Sequence, residues 1–432
     1  MVMKRVLVCR LGAIIASTIL LAAATAECFA AEQQVSAVSI WPAWRGGMRC
    51  EGRSRFRGPH SVKEDWRLKL GDGDFVTAPV IDAQGRLFVV FQHSPWSQYT
   101  ADSEDTLIVV EPRRRAKYAV GTGAVFGSPV IDMCGRLLLG TYENGLMLFD
   151  FFPDGHLLLK RVHRTEGFIV SPLLLTGQWV WAIEANQSEC DRRCICFDVK
   201  DFRQRLSSEA PEQYTGRMAS DGIRTYAVQE HAKLKAFDNE DLGVYPWQIS
   251  PDESALEIGQ PAIGLDGTIH FAALHEDATG RVFAVSPDGK VKWSNNIEGT
   301  PRSPAITRTG DVIYATSGGN GGLYSFSVAG NLKWKIKLPL SELGEPIVDR
   351  DGYVYVSSLT GDVFCVSPLG EEMWRYSMPC ERQRCSLSPV LFDDSGLYFV
   401  SNGTLYTLSE PEPEYTGGPS VPVTPETDSR AR

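Results

Sequence analysis

The chain has 432 residues, a formal net charge of −10 and a hydrophobic content of 43%, with 10% aromatic side chains. That composition is ample for a large folded core and excludes disorder over most of the length. The acidic balance excludes a general nucleic-acid-binding surface, which needs a concentrated basic face.

Residues 1–26 have the pattern of an export signal. Lys4 and Arg5 lead an apolar run from Leu11 to Ala24, broken only by Ser17 and Thr18, and Ala24-Thr25-Ala26 is a small-x-small cleavage site. The run is short for a membrane span of ~20 residues, so the mature chain is expected to be periplasmic or extracellular, with no transmembrane span. It also becomes more acidic, because Lys4, Arg5 and Arg10 leave with the signal. Cys28 raises lipidation, but Glu27 stands where a lipidation motif wants a small residue.

Residues 27–64 read as an irregular arm lying on the domain that follows, with Trp41-Pro42-Ala43-Trp44-Arg45-Gly46 and then Arg53 to Pro59. Residues 65–410 repeat. Each unit has an inner hairpin indexed by a turn glycine: Gly85, Gly135, Gly177, Gly222, Gly267, Gly310, Gly352 and Gly396. Seven carry a proline shortly before it: Pro79, Pro129, Pro172, Pro261, Pro304, Pro346 and Pro389. The fourth has Arg217-Met218 instead. Proline suits the start of an innermost strand, where a missing N–H does little harm. Units close on Trp247, Trp293, Trp334 or Trp374, with Tyr118 and Leu159 in the first two units and an irregular third.

A period of about 40 residues with four short strands per unit is the pattern of a β-propeller. The expected fold is all-β: an eight-bladed propeller of four-stranded antiparallel blades. The eighth unit lacks its tryptophan strand, and Asp65 to Leu70, carrying Trp66, fits the vacancy. The N-terminal strand is therefore expected to complete the last blade and hide a sheet edge. Trp66, Trp247, Trp293, Trp334 and Trp374 are expected to pack between blades, where a buried indole contributes roughly 5 kcal/mol. Residues 411–432 are rich in Pro, Gly, Ser, Thr and acid and are expected to be a disordered tail.

Ten cysteines in an oxidising compartment suggest bridges. Cys380 and Cys385 are spaced for a loop staple, and one pair can form within Cys190, Cys194 and Cys196, with the connectivity open. Neither spacing is that of paired zinc knuckles, so no metal site is expected. Asp238 to Gly243 has the look of a calcium loop, but Ile249 holds the position that needs a bidentate Glu, so it reads as a hairpin turn. No catalytic motif stands out: there is no HExxH and no GxSxG. The longest excursion, Phe91 to Thr106, offers His93, Trp96 and Tyr99 as a partner-contact loop, and Glu184 to Cys196 is a second.

Phe283-Ala284-Val285-Ser286-Pro287-Asp288-Gly289-Lys290-Val291-Lys292-Trp293 resembles the tryptophan-docking repeat of the pyrroloquinoline-quinone-like (PQQ-like) propeller family. Trp41 to Gly46 and Phe56 to Pro59 look like the lead-in of its exported members. The resemblance implies one of two branches. Quinoprotein dehydrogenases hold the quinone at the ring centre against a disulfide of adjacent cysteines, with calcium ligands and a catalytic aspartate. This chain has no adjacent cysteine pair, so no catalytic or cofactor-binding residue carries over. The other branch is the non-enzymatic outer-membrane assembly lipoproteins, which use the ring as a docking platform. The expectation is a non-catalytic scaffold in the cell envelope without a cofactor, binding protein partners, as a monomer or a subunit of a complex. A PQQ- and calcium-dependent oxidoreductase is the alternative, and a carbohydrate or cell-surface recognition propeller the second.

Overall fold

Short β-branched runs separated by glycine turns fold as antiparallel hairpins, and the repeats do so eight times. A computed structural model describes residues 39–411, apart from 72–74, 93–104, 113–115, 144, 152–155, 187–190, 209–212, 319–320, 340–341, 379–389, 393–395 and 402. The export signal, His93, Trp96, Tyr99, Cys190, Cys380, Cys385 and the tail from residue 412 lie outside these described residues. No helix among the described residues is long and apolar enough to cross a membrane.

The strands form eight antiparallel sheets, the blades of a propeller. Blade 5 shows the plan. Its inner strand is split into Glu257–Ile258 and Ala262–Ile263, and Ile269–Leu274, Gly280–Val285 and Val291–Ile297 follow outward. Pro261 lies in the gap, where its missing N–H removes a ladder bond. In blade 4, where Arg217-Met218 replaces that proline, the inner strand runs unbroken over Tyr214–Ser220, with a register slip between Tyr214 and Met218. The middle strands are buried throughout, as in Leu87–Gln92 and Val312–Ser317, because neighbouring blades cover both of their faces.

The ring closes as a clasp. Lys63–Lys69 pairs antiparallel with Thr404–Ser409, placing Trp66 opposite Thr407 and Leu68 opposite Leu405. The eighth sheet therefore joins both ends of the propeller, in the order 63–69, 404–409, 396–401, 390–392.

The closing tryptophans reach the next blade. The indole nitrogens of Trp247, Trp293 and Trp334 donate to the carbonyls of Pro287, Val328 and Pro368 at 2.8, 2.9 and 3.0 Å. Each ring covers a turn glycine of that blade: Gly289, Gly330 and Gly370. All three rings remain half-buried, so each contributes less than a fully buried indole. Trp66 is half-buried and lies 6.2 Å from Tyr398. Leu159 does not dock in this way and is 45% exposed.

A Cβ on Gly330 would stand 2.6 Å from Trp293 Cγ, and Gly330 has φ +84°. Gly330→Ala is therefore expected to destabilise by about 2 kcal/mol or more, from the left-handed backbone plus the clash. Thermal melts followed by tryptophan fluorescence check this; an unchanged midpoint would contradict it.

The hairpin turns also carry carboxylate caps. Asp362 accepts from Thr360 Oγ1, Arg375 Nε and Ser377 Oγ. Burial pulls its pKa up, but these donors outweigh burial and hold it below the usual carboxylate value. A depressed folded pKa gives stability that is present above the unfolded pKa of about 4 and is lost as pH falls through the folded value. Asp362→Asn is expected to cost about 1 kcal/mol at pH 7, the low end because Arg375 is partly solvated, and less at pH 3. Urea unfolding at both pH values tests it; equal losses would reject the assignment.

Candidate functional site

In each blade the innermost strand has one edge paired outward and one facing the ring axis. Unpaired N–H groups on that second edge need acceptors. The N-terminal arm supplies them in order round the ring. Ile81 donates to Trp41 O in blade 1, Ile131 to Pro42 O in blade 2, and Ser220 to Met48 O in blade 4. Ile263 then donates to Arg49 O, Ile306 to Glu51 O and Val348 to Gly52 O in blades 5, 6 and 7. Ala43 packs with the apolar cluster that blades 2 and 3 share, which includes Leu148 and Leu173. The arm thus lines the axis next to the inner hairpin turns, on what we call the turn face.

Such a tight circuit requires unusual backbone. Arg45 and Cys50 have φ of 57° and 50°, and Gly46 and Gly52 are also positive. Arginines recur every fourth residue, and two of them, Arg49 and Arg53, meet the successive blades 5 and 6. Arg49 Nη1 donates to Gly264 O and Arg53 Nη1 to Thr307 O, both at 3.1 Å. Arg57 Nη2 reaches Glu410 at 2.9 Å. Arg45 is buried at the centre, with Nε on Cys50 O at 3.2 Å and Nη2 on Pro304 O and Pro346 O at 2.5 and 3.3 Å. Burial pulls its pKa down and Glu345 opposes that. Its Nη1 has no hydrogen-bond partner among the described residues.

Cys50 is likewise buried, and burial pushes its thiol up to about 12. It stays protonated and donates to Met218 O at 3.5 Å, so it is no nucleophile. Burial also raises the Glu51 pKa, against the pull of Arg53 and Arg49.

The arm leaves the axis over blade 7. Gly58 N donates to Asp349 Oδ2 at 3.0 Å, and a Cβ on Gly58 would collide with Tyr355. Trp374 Nε1 donates to Pro59 O at 2.8 Å, so Pro59 takes the place that an outer turn carbonyl holds in the other blades. His60 stacks on Tyr353 at 3.6 Å between centroids, and its N–H reaches Glu410.

The opposite, loop face bears a ladder of half-buried rings. Phe126 and Tyr142 lie 6.1 Å apart, and Tyr142 and Phe168 4.0 Å apart and nearly parallel. Nearby, Arg193 bridges Glu184 at 2.9 Å and Glu166 at 3.6 Å. Both long excursions leave from this face, between the second and third strands of blades 1 and 3. Cys194 is buried in Arg192–Asp198, and its proposed pairing with Cys190 lies outside the described residues. Cys50, Cys134, Cys196 and Cys365 are thiols. In the loop read as a hairpin turn, Asp238 Oδ1 is taken up by the N–H groups of Glu240 and Asp241.

Sequence reasoning missed the arm's path. Arginines stand at 45, 49, 53 and 57, but residues four apart also line one face of a helix or of a strand, so the spacing does not by itself mark an arm.

A family model described as outer membrane protein assembly factor BamB, a PQQ-repeat family, matches residues 188–376. No curated protein sequence matches the chain. Among solved structures, BamB from Moraxella catarrhalis is 15% identical, with a TM-score of 0.58, covering 81% of this chain and 99% of that one. A europium-containing methanol dehydrogenase is 9% identical (TM-score 0.64; 86% and 98% covered). The quinohemoprotein alcohol dehydrogenase from Comamonas testosteroni is 13% identical (TM-score 0.62; 87% and 82%). At such identities the likeness shows the fold, which scaffold and dehydrogenases share. The family model covers 188–376, and over the whole ring the chain is similar in its repeats and its closed eight-bladed fold to the PQQ-like repeat β-propellers.

Proposed function

We propose that this propeller is a non-catalytic scaffold of the cell envelope that binds protein partners. One observation carries the reading: the axis-facing edges of blades 1, 2, 4, 5, 6 and 7 are bonded to the chain's own arm. Quinoprotein dehydrogenases of this fold hold their quinone and calcium at the ring centre. The residues here do not fit that pair. Arg45 puts a buried cation where a calcium ion would be repelled, and the arm's backbone fills the space beside it. The match to a BamB family model supports an envelope location and a part in assembly.

The test has two arms. Purified protein supplied with pyrroloquinoline quinone and calcium is expected to show no dye-linked alcohol oxidation; turnover above the quinone-free control would overturn the reading. Crosslinking in the intact envelope is expected to yield a reproducible protein adduct. Recovery of uncrosslinked monomer alone would count against a scaffold.

A further inference from the structure

The turn face is not uniform round the ring. In the inner hairpin turn of blade 5, two residues before Gly267, stands Leu265; at the same place before Gly310 and Gly352, blades 6 and 7 carry Arg308 and Arg350. Leu265 is 63% exposed. In blade 4 the inner turn presents Ile223, 68% exposed, and the outer turn is a longer loop, 239–246, that exposes Val244. These tips adjoin. Asn239 N donates to Ile223 O at 2.9 Å, tying the two turns of blade 4 together. Arg224 and Trp247 both donate to Pro287 O, in the outer turn of blade 5. A Cβ on Gly267, two residues from Leu265, would touch that same proline at 3.1 Å.

Charge accompanies the apolar tips. Asp221, Glu240 and Asp241 make no ion pair among the described residues. Residues 214–297, blades 4 and 5, hold twelve acidic against seven basic side chains, so this sector carries much of the chain's negative charge. Aliphatic tips bordered by unneutralised carboxylates favour one kind of occupant: apolar anchors to cover the tips, cations to meet the rim.

We propose that the turn face of blades 4 and 5 is a docking surface for a protein segment that carries lysine or arginine beside large apolar side chains. The proposal rests on the scaffold reading above and names the kind of partner.

The probe is a synthetic leucine–lysine amphipathic peptide, titrated into the full chain and followed by fluorescence anisotropy. Ile223→Ser with Leu265→Ser, and separately Glu240→Lys with Asp241→Lys, are each expected to weaken binding about tenfold. Leu369→Ser, on an exposed tip of blade 7, is expected to change it little. Circular dichroism and thermal melts confirm that each variant is folded, since all five sites are exposed. Three results would overturn the proposal: affinity unchanged in both double variants, equal binding of a peptide with serine for every leucine, or concentration-dependent self-association abolished by the Ile223/Leu265 pair. The last would assign the surface to a second copy of the chain. None of these touches the scaffold reading, which falls instead with quinone-dependent turnover or the lack of any envelope adduct.

Discussion

Arg45→Met is expected to lower stability by about 2–4 kcal/mol, although it removes a buried charge. Returning the guanidinium's desolvation cost favours the variant. Against that, the carbonyls of Cys50, Pro304 and Pro346 lose their donor. These are backbone acceptors from the arm and from blades 6 and 7, so no compensating substitution removes them, and each orphaned group costs about 1–3 kcal/mol. Lysine should not rescue, because a single ammonium cannot span three acceptors as the planar fork does. The effect has a second signature. A Cβ on Gly52 would lie 2.5 Å from Arg45 Nη2. Gly52→Ala should therefore cost less in the Arg45→Met background than alone. Denaturant titration of the four-member cycle measures this; additive losses would show that Arg45 does not hold the arm as described.

Leu68→Pro is expected to open the ring. Leu68 stands opposite Leu405 in the strand pairing that joins the first propeller strand to the last. Proline removes an N–H and bends the strand, at about 3 kcal/mol or more. Freeing Lys63–Lys69 would expose the edge of Thr404–Ser409, and an exposed apolar edge pairs with other chains. The expected result is a lower melting midpoint together with concentration-dependent oligomers, read by light scattering coupled to gel filtration. A variant that melts earlier but stays monomeric would mean that the arm, not the clasp, keeps the ring shut. Proline at Leu332, in an outer strand with no closing role, is the control for simple strand damage.

The two variants probe the two halves of what the sequence revealed unequally. The clasp was legible because it follows from local signals: a tryptophan strand absent after Ser409 and a spare one at Trp66. The docking of Trp293 on the turn of the next blade was legible for the same reason, since the repeat places an indole and a glycine at fixed offsets. Arg45 was not legible. Its acceptors lie 259 and 301 residues away, and nothing local distinguishes a buried arginine from a solvated one.

The amino-acid order by itself determined the eight blades, their four-stranded plan and their closure, because hairpins depend on residues close together in the chain and the repeat multiplies a weak signal eightfold. Only the tertiary structure decided what occupies the axis and which turn tips stand side by side. An irregular arm finds its partners on strand edges from six blades, and an aliphatic tip acquires neighbours only once the ring has formed; both are long-range coincidences that no local pattern encodes.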